Sequence, residues 1–246
     1  MKHIDALLNR HAGQTIWIFG KGPSLDDFQV ASAGEVRICI NESLRAVPRP
    51  TYFFAHDEGP IHNVANTWPE QCSAILQLPR AIFAEQCGIP TDAIFVYEKR
   101  YCDNAVRDMN AASLARHRCL YGNSGTVHCA IDFCRLIGAT RVVMVGFDGT
   151  GGYAKSIHLP DGGAEHDRIR RDSVSLLNAL AIPYEFFGSC NADKSGGEWV
   201  HTGAFPVIAA YCNPHPLIFW PEREPLSSSE RRPEETACGE IRDVGG

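Results

Sequence analysis

An α/β fold with a doubly wound, mostly parallel sheet and helices on both faces follows from two patterns in this sequence. Short apolar, β-rich runs alternate along the chain with segments whose apolar residues recur at helical spacing, the alternation of parallel strands with crossover helices. The runs are also apolar throughout instead of alternating with polar residues, as strands covered on both faces are.

Seven runs read as strands: Thr15–Phe19, Val36–Ile40, Tyr52–Ala55, Ser73–Leu76, Ile94–Tyr97, Arg141–Gly146 and Tyr184–Phe187. Helical patterns are predicted over Leu7–Asn9, Leu25–Val30, Asn104–Arg116, Ser124–Ile137 and His166–Leu180. The fourth puts Val127, Ile131, Cys134 and Ile137 on one face, and the fifth does the same with Ile169, Val174, Leu177 and Leu180. The predicted architecture is therefore Rossmann-like. In such a sheet ligands bind outside the carboxyl ends of the strands, where the strand order reverses, so the polar residues just after each strand are the candidates for function.

Bulk properties narrow the classes. The 246 residues are 44% apolar, enough for a sizeable core, and the net charge of −6 argues against bulk attraction to nucleic acid or a membrane surface. The first ten residues lack the pattern of a signal peptide, and no apolar run approaches the roughly 18 residues of a membrane helix, so a cytoplasmic protein is expected. Ten cysteines are scattered with no C-x-x-C pair, which points to buried thiols instead of a zinc ribbon or redox dithiol. From Pro221 the composition turns charged and proline-rich, predicting one domain over 1–220 and a disordered tail over 221–246. A homo-oligomer is compatible with all of this.

The first candidate turn is Gly20-Lys21-Gly22-Pro23-Ser24, directly after an apolar run. Gly20 and Gly22 permit close backbone approach, Pro23 suits a first helical turn, and Ser24 or Asp26 suits its cap. Unpaired amides and a helix dipole there make a phosphate cradle; the same turn is equally readable as a bend that binds nothing. A second cluster, Gly122-Asn123-Ser124-Gly125, precedes the Val127 helix and reads as a second cradle or as a plain cap. A third, Gly146-Phe147-Asp148-Gly149, places Asp148 at a strand end, suited to a ribose, a divalent metal or a simple turn. Asn41 follows the Val36 strand and suits a base or sugar. His56-Asp57 follows the Tyr52 strand, where a carboxylate suits metal–phosphate contact or a general base. The glycine-rich stretch Gly149–Glu165 reads as a lid, and His158 and His166 beyond it are candidate bases for deprotonating a hydroxyl.

Taken together, Phe19-Gly20-x-Gly22-Pro23-Ser24-Leu25, Ile40-Asn41, Gly122-Asn123-Ser124-Gly125 and Val145-Gly146-Phe147-Asp148 resemble an ordered series of motifs in the small bacterial lipooligosaccharide sialyltransferases. The chain also resembles the archaeal-type 6-hydroxymethylpterin diphosphokinases, whose Pro-Asp-Tyr…Asp strand is echoed by Pro50-Thr51-Tyr52-Phe53-Phe54-Ala55-His56-Asp57. The first resemblance implies a transferase needing no cofactor, with a nucleotide-sugar donor on Gly20, Gly22, Ser24, Asn41 and Ser124; their neighbours Pro23, Asn123 and Gly125, with Asp148, complete the candidate binding set. It also implies a hydroxyl-bearing acceptor, with His166, or second His158, as base. That family carries paired tyrosines after the Gly-x-Asp strand, where this chain has only Tyr153. The second resemblance implies ATP as donor and magnesium on Asp57 and Asp148, although Asn41 stands where that group tends to be acidic. A nucleotide-binding or assembly protein without catalysis is the third reading.

Overall fold

Ten strands form one sheet in the computed structural model, which describes residues 1–100, 119–121, 125–148, 152–159, 166–187 and 199–200. Chain contacts divide the protein into Met1–Phe205 and Pro206–Gly246, and every described residue belongs to the first unit. The predicted Asn104–Arg116 helix and the predicted tail lie outside the described residues.

The strands are β1 (Lys2–His3), β2 (Thr15–Phe19), β3 (Arg37–Ile40), β4 (Tyr52–Phe54) and β5 (Ser73–Gln77), followed by β6 (Ile94–Arg100), β7 (Cys119–Tyr121), β8 (Arg141–Val145), β9 (Tyr184–Phe187) and β10 (Trp199–Val200). Their spatial order is β1-β6-β5-β4-β3-β2-β8-β9-β10, and all pairs are parallel except β9 with β10. The short β7 pairs parallel with the later part of β6. All seven predicted strands are present within a few residues.

The doubly wound character follows from which side chains are apolar. Side chains alternate between faces, so Ile16 and Ile18, Ile38 and Ile40, Tyr52 and Phe54, and Val142 and Met144 share one core. Phe19, Cys39, Phe53, Leu76 and Val145 share the other. On the first face lie α4 (Thr126–Leu136) and α5 (His166–Ala179), packing Ile131, Phe133, Leu176 and Leu177. On the second lie α1 (Ser24–Asp27), α2 (Glu58–Ala65) and α3 (Leu78–Gln86), packing Leu25, Ile61, Val64, Ala81 and Ala84. With both faces covered, each strand is apolar on both sides, and this is the source of the continuous runs.

Two helical expectations change. The Leu25–Val30 helix stops after one turn because Phe28 goes extended and its ring packs at 4.9 Å from Phe187 and 5.6 Å from Trp17. The Leu7–Asn9 helix is instead a 3-10 turn over Ile4–Leu7. Neither α2 nor α3 was expected from the sequence: α3 buries only Ala81 and Ala84 while Leu78 and Ile82 face outward, so apolar periodicity does not mark it.

Candidate functional site

The strand order reverses at β2. From it the chain steps through β3, β4, β5 and β6 in one direction, then returns through α4 to β8 on its other side and continues to β9. The connections leaving β2 and β8 thus diverge, opening a crevice at their carboxyl ends. A cavity of about 640 Å³ lies there, bordered by both glycine turns, by Asn41, and by the first turns of α3, α4 and α5.

The two glycine turns are fitted to each other. The Gly20 N–H donates to Val145 O at 2.7 Å, and the Gly22 N–H to Gly146 O at 2.8 Å. A Cβ at Gly20 would stand 2.5 Å from Gly146 O, and one at Gly22 would stand 2.2 Å from Asp148 Oδ2. The Ser24 N–H donates to that same Asp148 Oδ2 at 3.0 Å, while Ser24 Oγ donates to Phe187 O and accepts from Gly146 N–H. This corrects the expected cradle of unpaired amides: the N–H groups of Gly20, Gly22 and Ser24 are all used to tie the two turns together. Pro23 precedes a helix of a single turn, too short to carry an anion site, and neither Ser24 nor Asp26 caps it. Ser24 is 3% exposed and Asp148 8%, so both act first as braces, with Asp148 still bordering the cavity.

Asp26 instead holds part of the predicted lid. Its carboxylate accepts from the N–H groups of Lys155, at 2.6 Å, and Ser156, at 3.2 Å, and the Ala154 N–H donates to Lys21 O at 2.7 Å. Burial alone raises the Asp26 pKa, but the hydrogen bonds from Ser156 and Lys155 outweigh it and hold the carboxyl below its ordinary value. Within the predicted Gly149–Glu165 lid, the described residues 152–159 therefore lie docked on the first turn, and Tyr153 sits under Lys21 Nζ at 4.4 Å. Lys21 also pairs with the buried Glu42 at 3.0 Å, whose other oxygen accepts from Asn63 Nδ2.

Asn41 lies at φ +55°, a left-handed conformation that Asn tolerates better than most residues, and its Oδ1 is buried without a hydrogen-bond partner. It borders the cavity beside Gly125, which is the N-cap of α4 and makes no side-chain cap. Asn123 and Ser124 lie outside the described residues. From α5, Arg170 Nη1 donates to Asp148 O at 3.2 Å and stacks over Phe186 at 5.0 Å. His166 opens this helix one turn before Arg170, and its side chain is outside the described set. His158 is exposed, at φ +55°, and is not brought to the cavity.

At the other end His56, marked in the sequence as a strand-end residue, meets three residues that the sequence did not single out: Tyr97, Lys99 and Arg80. His56 Nε2 lies 2.9 Å from Tyr97 Oη, and Lys99 Nζ is 3.5 Å from His56 Nδ1. An ammonium only donates, so Nδ1 accepts and Nε2 carries the proton. Burial, then the charge of Lys99, pushes the His56 pKa down to about 4, so the ring is neutral at pH 7. Arg80 Nε donates to His56 O at 2.8 Å, and its guanidinium pairs with Glu58. Asp57 borders the same cavity, yet no group of three or more His, Cys, Asp or Glu able to hold a metal exists among the described residues. Asp57 and Asp148, the magnesium ligands implied by the diphosphokinase resemblance, both border this cavity, and Asp148 keeps acceptor capacity beyond its bond from the Ser24 N–H.

Also among the described residues, no helix is long and apolar enough to cross a membrane, and six free cysteines include five that are buried. No family model, curated protein or solved structure matches this chain.

Proposed function

We propose that this protein is a transferase that binds a nucleotide-activated donor in the cavity at the β2–β8 junction and passes a glycosyl group to a hydroxyl acceptor. The observation that carries this reading is the position of the cavity: it lies at the reversal of strand order and gathers Asn41, both glycine turns and the first turn of α4. Because the turn amides are spent on each other, the donor phosphate is assigned to side-chain charge, from Lys21 and Arg170. The unpartnered Asn41 Oδ1 marks a polar position that a base or sugar hydroxyl would satisfy.

In this mechanism the acceptor oxygen forms a bond to the donor carbon as the bond from that carbon to the phosphate oxygen breaks. The phosphate leaves with the electron pair, and the acceptor proton passes to a base. His166 is the candidate base, since it opens the helix that brings Ile169 and Arg170 to the cavity. His56 suits the task poorly, because a ring with a pKa near 4 is a weak base and its Nδ1 already faces Lys99.

A thermal-shift screen of CMP, UDP, GDP and ATP, each with and without magnesium, tests the reading. Stabilisation by one nucleotide without magnesium is the expected result, with loss of transfer in His166→Ala. A shift that requires magnesium and ATP points to the diphosphokinase-like reading, and no shift with any nucleotide to a non-catalytic assembly protein.

A further inference from the structure

Two ends of the cavity carry positive charge for different reasons. At the β2–β8 end, Lys21 and Arg170 flank the glycine turns, where the donor is assigned. At the other end, Arg80 comes from the start of α3 and Lys99 from β6, and both converge on His56 at the end of β4. Two separate elements thus deliver cationic groups to one neutral imidazole, with Glu58 pairing the guanidinium of Arg80 from its other side.

The contacts within this cluster orient it. Tyr97 and Lys99 hold the His56 ring from both nitrogens, and Arg80 Nε is fixed on the His56 carbonyl. After burial, which comes first, the charges of Lys99 and Arg80 also disfavour protonation of His56. The ammonium of Lys99 and the guanidinium of Arg80 border the open volume beside the ring, where they can donate to an anion.

Distance separates this cluster from the donor phosphate. The end of β4 is two strands from β2, about 10 Å along the sheet edge. Adjacent phosphates of one diphosphate share a bridging oxygen and do not span that gap. We infer that Arg80 and Lys99, gathered around His56, form an oxyanion subsite for a carboxylate or phosphate of the acceptor, which is therefore an anionic molecule. This assignment to the acceptor rests on the reading of the β2–β8 end as the donor site.

The test uses the full chain saturated with whichever nucleotide stabilises it most. Inorganic phosphate and acetate are then titrated separately and followed by NMR chemical shifts, in wild type, Arg80→Gln and Lys99→Gln. At least one anion is expected to bind wild type, and each substitution to weaken it tenfold or more. Nucleotide affinity should stay within twofold, which also shows that the variants fold. Tighter phosphate binding assigns a phosphorylated acceptor, and tighter acetate binding a carboxylate one. Absence of binding by both anions, or binding that both variants retain, overturns the subsite. If no nucleotide binds wild type but phosphate does, and both variants lose it, the donor reading falls while the oxyanion subsite stands.

Discussion

The β2–β8 junction and the cluster around His56 border one cavity yet are built from opposite materials. At the junction most contacts are backbone to backbone, with glycine where a Cβ would intrude and two side chains, Ser24 and Asp148, as braces. Around His56 the contacts run through side chains: a neutral imidazole, a phenol, an ammonium and a guanidinium. The first arrangement fixes where two strands end; the second sets what charge the cavity presents. A substitution at the junction should therefore be read in stability, and one at the cluster in pH dependence and ligand choice.

The sharpest way to break this division is Gly22→Ala. The added methyl has nowhere to go between Asp148 Oδ2 and Gly146 O, and a cost of at least about 3 kcal/mol in urea denaturation is expected. Gly59→Ala is the control, because nothing beyond its chain neighbours lies within 4 Å of its Cβ; standing in α2 directly before Pro60, it should change stability by less than about 1 kcal/mol. Equal effects at the two glycines would contradict the interlock.

The His56 cluster predicts a pH signature next in size. The His56 pKa is about 4 folded against an ordinary 6.5, so between those values the unfolded chain binds more protons and stability rises with pH. The contribution is present in full above about 6.5 and lost as pH falls to about 4, amounting to at most about 3 kcal/mol. His56→Asn should flatten that part of the stability–pH curve, which His11 and His128, also lowered by burial, continue to shape. A curve unchanged by the substitution would remove the neutral-histidine account. Smaller still, Asp148→Ala leaves the buried Ser24 N–H without its acceptor and should cost about 2 kcal/mol at pH 7, measured by the same denaturation.

The junction was far more legible in the sequence than the cluster. Small residues after an apolar run signal a strand end whatever binds there, and the Phe19-Gly20 and Val145-Gly146 steps mark the two turns that meet. What the sequence misled about was the use of the amides, because a chain written in one dimension does not show that Gly20 and Gly22 face the carbonyls of Val145 and Gly146, far away in sequence. Of the cluster, the sequence marked only His56, with Asp57, as polar residues after the Tyr52 strand; its cationic members left no trace. Arg80 lies on a helix whose buried face is two alanines, and Lys99 lies at the end of a strand next to residues that read as surface. Only their convergence on His56 gives them meaning, and convergence is a property of the sheet order. The helices α4 and α5 were recovered because large apolar side chains repeat along them; α2 and α3 were not, because theirs do not.

The fit of Gly22 against Asp148 also constrains how this protein can change over time. A side chain at position 22 needs the space that the Asp148 carboxylate fills, and loss of that carboxylate strands the Ser24 N–H. Either step alone is costly, whereas a hydroxyl or small amide at 148 with a backbone adjustment at 22 offers a path that neither takes singly. Positions 22, 146 and 148, distant in sequence, are accordingly expected to vary together among descendants of this chain, or to stay fixed as a set.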